Sequence, residues 1–148
     1  MRRTVTALST LAVLALPVAN LTARAASATL TAVKKKSVWK EVAGPQAPAN
    51  QWGYVEVTLV VKKTTITTGS GKNAKTKVTR KITGAPVPVY PDHTGRSLFI
   101  SQQAIPILIG EVLQAQLNPN ISLVSGATYT SEAFIQSLQA AIVEAKKV

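Results

Sequence analysis

The sequence predicts an α+β fold in which a twisted antiparallel sheet, built around one long hairpin, is packed by C-terminal helices. β-Branched and aromatic residues partly alternate with polar ones from Trp52 to Thr83, a pattern typical of half-buried strands. From Ser97 onward, apolar residues recur three and four positions apart, which is the period of amphipathic helices. Strands first and helices later indicate helices packed against one antiparallel sheet.

The N-terminal segment, residues 1–25, has the features of a secretory signal peptide. Residues 1–3 form a short basic segment, residues 5–21 form an apolar run, and residues 23–25 or 26–28 supply a small-residue cleavage site. A transmembrane anchor is the competing interpretation, but the run contains a proline and an asparagine and is shorter than the ~20 residues of a usual span. We therefore expect an exported protein, extracellular or associated with the cell envelope, with no integral membrane span in the mature chain.

Residues 26–51 have the composition of an extended linker. They combine a lysine cluster with the proline- and glycine-rich segment 44–50, and they leave room for a short edge strand before that segment. The folded domain is expected to begin near Trp52 and to occupy residues 52–148.

The first half of this domain is predicted to form strands. Residues 52–62 predict one strand, and residues 64–68 and 76–83 flank a loop of glycine, serine and asparagine, which predicts a hairpin. Prolines in residues 85–91 exclude a central strand, so this segment is expected to be an edge strand or extended chain.

The second half is predicted to form three helices. Residues 97–104 predict a short helix, and Pro106 is expected to open a second helix that ends before Asn118. A third helix is expected to begin among the hydroxyl residues that precede Glu132 and to run to the C-terminus, because apolar residues recur at helical spacing from Phe134 onward. We expect a serine or threonine hydroxyl to cap it, with an acid in its first turn and two lysines in its last.

Charge and composition exclude several classes of site. The chain has 17 basic and 6 acidic residues and no cysteine, which rules out disulfides and thiolate metal sites. Asp92 and His93 are the only histidine–carboxylate pair, whereas a metal site needs several convergent ligands, so we expect no metal. The basic segments lack an aromatic stacking platform, so we expect no nucleic-acid partner.

Lysines and arginine between Lys62 and Lys81 are expected on a solvated hairpin face or on a docking surface for an anionic partner.

The residues just before the last helix are the strongest candidate for a ligand site. Gly126 and Ala127 allow backbone amides to approach a planar or phosphorylated ligand closely. The following helix N-terminus offers amides and partial positive charge to a phosphate. The cluster also contains four hydroxyl residues, namely Ser125, Thr128, Thr130 and Ser131. The alternative is an ordinary hydroxyl-capped helix after a glycine turn.

Residues 124–131, Val-Ser-Gly-Ala-Thr-Tyr-Thr-Ser, resemble the S-G-A-T-x-T-S signature of the FMN-binding domain family. This domain is carried by the C subunit of sodium-pumping NADH:quinone reductases, by the G subunit of Rnf complexes and by small exported proteins of actinobacteria. Arg96-Ser97, residues 105–108 and residues 113–116 are similar to blocks of the small exported proteins in order and spacing. The likeness covers about Trp52 to Ala145.

The resemblance implies a one-flavin electron carrier that is not itself an enzyme. It implies that FMN is esterified through its phosphate to Thr128, and that a separate FAD:protein FMN transferase attaches it. The partners would then be that transferase and a redox donor and acceptor at the cell envelope. The cofactor-binding residues implied are Thr128, Ser125, Gly126, Ala127, Tyr129, Thr130, Ser131, Arg96 and Ser97. The flavin ring would rest on Tyr129 and on apolar side chains from residues 105–113.

The chain differs from the family at Ser122, where family members usually have an acidic residue within the sequence that the transferase recognises. Non-covalent FMN therefore remains an alternative to the ester. A second alternative, from a different class of function, is a secreted basic binding module for envelope polymer or a protein partner, without flavin.

Overall fold

A three-stranded antiparallel sheet packed against two C-terminal helices confirms the predicted α+β fold. The structure is a computed structural model and describes residues 33–148. The signal peptide predicted for residues 1–25, and the first part of the predicted linker, lie outside the described residues.

The elements follow one another in a simple order. The strands are β1 (Val33–Ala43), β2 (Ala47–Pro48), β3 (Tyr54–Val55), β4 (Thr58–Thr68) and β5 (Lys75–Gly84), and the helices are α1 (Gly95–Ala115) and α2 (Thr128–Ala145). The main sheet has the order β1-β4-β5, while β2 and β3 form a small second sheet. Short 3₁₀ turns lie at Asn50–Trp52 and Gly71–Asn73.

The long hairpin predicted from the sequence is confirmed. β4 and β5 pair antiparallel as far as Thr68 opposite Lys75, and a bulge lies at Val60 and Val61. The segment after β5 is extended chain, as its prolines predicted, and it makes one β-bridge, between Val89 and Glu56. The strand predicted from Trp52 is instead two strands, β3 and β4, which follow the 3₁₀ turn at Asn50–Trp52.

Residues 33–43 of the predicted linker form an 11-residue strand of the main sheet, which is longer than the short edge strand for which the prediction left room. β1 pairs with β4 along its whole length, from Val33 opposite Thr68 to Ala43 opposite Thr58. Only Val42 of β1 is buried, so the lysine-rich composition that suggested a linker is that of a solvent-exposed edge strand. The folded unit therefore includes residues well before Trp52.

The two helices predicted around Pro106 are a single 21-residue helix, α1, with the proline inside it. Proline cannot donate to the carbonyl of Gln102 and usually bends or ends a helix. Both residues are exposed, so water can hydrate that carbonyl while the helix continues. A capping box between Thr94 and Ser97 fixes the N-terminus of α1.

α2 is the predicted last helix, but its ends differ from the prediction. Ala127 occupies the N-cap position and makes no side-chain hydrogen bond, so no hydroxyl caps this helix. Glu132 lies beyond the first turn, and Lys146 is the C-cap residue that follows the last turn. The amides at its N-terminus are consequently left without a capping side chain.

The core lies between the main sheet and the helices. Its largest fully buried apolar side chains are Phe134, Leu59, Ile82, Leu108, Leu138, Ile142, Val55, Val57, Val61 and Val112. Ser137 of α2 is also fully buried, and its hydroxyl accepts the Val57 N–H at 3.0 Å. Gly44 touches the same residue: a Cβ there would lie 2.2 Å from the Ser137 carbonyl oxygen. These contacts join the end of β1 and the start of β4 to the last helix.

Among the described residues, α1 has the length and composition to cross a bilayer. In the fold, Ala104, Leu108 and Val112 of this helix are buried. Core packing thus accounts for part of the apolar character of α1, while Phe99, Ile107 and Leu113 are exposed.

Candidate functional site

A cleft of about 330 Å³ lies where the N-termini of α1 and α2 approach each other. The turn before α2 contributes Gly126 and Ala127, and α2 contributes Thr128, Tyr129 and Thr130. The other lining residues are Arg96, Ser97 and Ile100 from α1 and Trp52 and Pro91 from the connecting segments. The volume of the cleft is at the lower end of the roughly 300–1,000 Å³ typical of small-molecule sites. Such a cleft can cover part of a mononucleotide-sized ligand and leave the remainder in solvent.

The α2 side of the cleft presents backbone amides. Gly126 has φ +79°, and the Ala127 N–H donates to the Val124 carbonyl at 3.0 Å, which closes the turn. The first hydrogen bond of α2 runs from the Ser131 N–H to the Ala127 carbonyl. The amides of residues 128–130 precede that bond, so they are the donors that a helix N-terminus leaves for a ligand.

Thr128 stands at the first position of α2 with an exposed side chain on the cleft. Tyr129 beside it is 51% exposed, whereas Thr130 is buried against the cleft wall. A hydroxyl at the mouth of the site and a phenol ring next to it are therefore accessible to a ligand.

Two residues of the candidate cluster lie apart from this lining. Ser131 is fully buried, and its hydroxyl accepts the Val124 N–H at 3.1 Å. Ser125 is exposed in the turn. Ser131 therefore holds the turn in place, while the residues between it and Ser125 face the cleft.

The α1 side contributes the positive charge. Ser97 is tied into the helix cap, since its N–H donates to Thr94 Oγ1 at 3.0 Å and its Oγ accepts the Thr94 N–H at 3.1 Å. Arg96 is exposed at the cleft, and within residues 33–148 the one ion pair joins Lys147 to Glu144. The guanidinium of Arg96 is thus available to an anion, to which it can present two parallel donors.

The apolar wall of the cleft was not predicted. Trp52, Pro91 and Ile100 form it, whereas the expected residues 105–113 do not line the cleft. The Trp52 ring is stacked on His93, with centroids 6.5 Å apart and an angle of 22° between the planes. The sequence predicts a strand from Trp52, but the glycine that follows it has φ +116° and is the local signal of a turn. That turn places the Trp52 ring in the wall of the cleft.

The sequence has no acidic residue at position 122, but a carboxylate from α1 contacts the backbone of Ser122. Glu111 of α1 accepts the Ser122 N–H through Oε2 at 2.6 Å. This bond ties the segment before the Gly126 turn to the C-terminal part of α1. The chain before the turn is therefore held at two amides, that of Ser122 by Glu111 and that of Val124 by Ser131.

The arrangement suits a ligand with an anionic end and a flat apolar end. Two helix N-termini and Arg96 favour negative charge on one side. Trp52, Ile100 and Tyr129 offer apolar surface to a planar ring on the other. The residues present therefore suit a flavin mononucleotide in charge and in apolar surface. No protein-family model matches this sequence, and no curated protein matches it.

Proposed function

We propose that the chain is an exported electron carrier that holds one FMN in the cleft between the N-termini of α1 and α2. One observation supports this above all others. Arg96 and Ser97, which the resemblance implicates, lie about thirty residues before the Gly126 turn, yet both groups line one cleft. Of the implicated residues, only Ser125 and Ser131 lie outside it.

Each part of the cleft would have a defined task. The amides of residues 128–130 would donate to the phosphate, and Arg96 would neutralise part of its charge. Gly126 would leave the approach open, because no atom lies within 4 Å of where its Cβ would be. Trp52, Ile100 and Tyr129 would exclude water from part of the ring. Bound FMN would supply the redox chemistry, while the protein sets its orientation and electrostatics.

Thr128 would hold the cofactor covalently. Transfer from FAD would form a bond between Thr128 Oγ1 and the phosphorus of FMN, break the pyrophosphate bond, and release AMP and the hydroxyl proton. The exposed position of Thr128 at the start of α2 supports this assignment, because a separate transferase must reach the hydroxyl.

The test is the fate of the flavin on denaturation. Protein isolated from its native host should keep its flavin after acid precipitation, and peptide mass spectrometry should find FMN less one water on Thr128. Thr128→Ala should lose the covalent flavin, whereas Thr128→Ser, which retains a hydroxyl, should keep part of it.

The other outcomes are equally informative. Flavin that is released on denaturation would establish non-covalent binding, and Ser122→Asp should then restore the ester when the transferase is co-expressed. Natively produced protein with neither bound nor released flavin would contradict the proposal and favour the secreted binding module.

A further inference from the structure

The face of the main sheet turned away from the helices carries an ordered set of lysine and hydroxyl side chains. Val61 and Ile82 are paired and buried on the helix side. Side chains alternate along a strand, so residues one position away point to the opposite side. We call that side the outer face. Its cross-strand rows are Trp39, Lys62 and Lys81; Ser37, Thr64 and Thr79; Lys35, Ile66 and Lys77; and Val33, Thr68 and Lys75.

The charge of the outer face is strongly positive. β1, β4 and β5 hold most of the basic residues of the described chain and a single acid, Glu41, which lies on the outer face in the row next to Trp39. Every basic residue in the four rows is a lysine. The rows of Lys62 and Lys35 lie about 13 Å apart, because a strand rises about 3.3 Å per residue. Ammonium groups are therefore repeated along the strands and attract an extended anion.

Trp39 adds an aromatic surface to this charge. Its ring is 58% exposed, and the Lys62 ammonium lies 4.8 Å from the ring centroid. Such a cation–π contact holds the indole in one orientation while part of the ring remains open. The open ring can bury the apolar face of a sugar.

A row of hydroxyls separates the two lysine rows. Ser37 Oγ and Thr64 Oγ1 are 3.3 Å apart, and Thr79 is the next residue across the sheet. Hydroxyls both donate and accept, so this row can bond to sugar hydroxyls between two charged groups.

We infer that the outer face binds a linear acidic glycan whose carboxylates are held by the lysine rows and one of whose sugars stacks on Trp39. An acidic protein fits less well, because lysine is depleted from protein–protein interfaces. Single-stranded nucleic acid fits less well, because it calls for several stacking aromatics, and arginine is the preferred partner of phosphate. This inference is independent of the flavin.

The test measures binding of the full chain to a defined-length oligogalacturonate at physiological salt. Lys35→Gln combined with Lys77→Gln should weaken binding about tenfold, since two exposed ion pairs are lost. Trp39→Ala should weaken it several-fold. The matched control, Lys146→Gln with Lys147→Gln, removes the same charge beyond the end of α2. It should change affinity by no more than about twofold, because Lys147 lies beside Lys40 and Val42, which point to the helix side of the sheet and away from the outer face.

Three results would overturn the inference. The first is no binding of oligogalacturonate at that salt. The second is a loss of binding in the control pair as large as that in the sheet pair, and the third is tighter binding of single-stranded oligothymidylate of equal charge. Because all substituted residues are exposed, circular dichroism of each variant should match that of the parent chain.

Discussion

Gly126 shapes the cleft through its backbone conformation. Its φ of +79° lies in the region that glycine occupies freely and β-branched residues avoid. Space is not the constraint, because no atom lies within 4 Å of its Cβ position. The backbone conformation and the access to the cleft are therefore what the residue provides.

Gly126→Val should abolish flavin loading while the fold persists, at a cost of about 1–2 kcal/mol in unfolding free energy. A side chain would enter the approach to the amides of α2. Flavin absorption and circular dichroism, recorded on the same sample, check both parts. Gly71→Val is the matched control, since Gly71 has φ +62° and an open Cβ position but lies in the hairpin loop. If the Gly126 variant retains flavin, the ligand does not approach by this turn.

At the scale of secondary-structure elements, the side chain of Gln116 makes the two hydrogen bonds to Ile82 that a neighbouring strand would make. Its side-chain Oε1 accepts the Ile82 N–H at 2.9 Å, and its Nε2 donates to the Ile82 carbonyl at 3.2 Å. These two bonds satisfy the backbone N–H and carbonyl of the buried Ile82 on the free edge of β5. On an edge strand, such groups otherwise have no partner in the sheet. Gln116 has φ +58°, so the end of α1 is turned to make this contact.

Gln116→Ala should lower the unfolding free energy by about 1–3 kcal/mol, because two backbone groups of Ile82 lose their partner. Urea denaturation gives the value. Gln114→Ala, an exposed neighbour on the same helix, should leave the midpoint within about 0.5 kcal/mol of the parent. Equal midpoints for both variants would show that water replaces the Gln116 side chain without loss.

Elements with strong local patterns could be predicted, and those that depend on distant partners could not. The β4–β5 hairpin follows from its turn residues, and α2 follows from its apolar period. β1 is exposed along almost its whole length, so its sequence carries no alternation to mark it as a strand. α1 continues through Pro106 because its exposed side tolerates the missing donor, which local rules do not foresee.

The residues of the candidate site also fall into two groups, those that a local sequence pattern predicts and those that depend on distant partners. Residues near the Gly126 turn were predicted because small residues, hydroxyls and a helix start adjoin each other in sequence. Trp52 and Pro91 reach the cleft from segments without a regular period, so only the folded chain brings them to it. Contacts over such separations are set by packing and leave no local sequence pattern.

For the molecule as a whole, the two proposed surfaces belong to different elements. The cleft is built from helix N-termini and the segments beside them, and the outer face from the sheet. A carrier with this division could be held on an acidic glycan while its cleft stays accessible to redox partners. Both roles presuppose that the chain leaves the cytoplasm.

Export predicts a specific change in mass. The mature protein should lack residues 1 to about 25 or 28, because signal peptidase cleaves after a small-residue site. Intact-mass measurement on secreted protein checks this. Recovery of the full-length chain, with Met1 retained, in a membrane fraction would contradict it.

The contacts of Ser137 have a consequence for the order in which the molecule assembles. The hydrogen bond from the Val57 N–H to Ser137 closes over 80 residues, and Gly44 packs on the same serine. Pairings over such long loops form slowly compared with local ones. The sheet thus cannot complete its core until the last helix has been synthesised. A chain whose core closes only when α2 is available stays incompletely folded while the residues before α2 are synthesised, which is the condition that the predicted passage through a narrow translocation channel would impose.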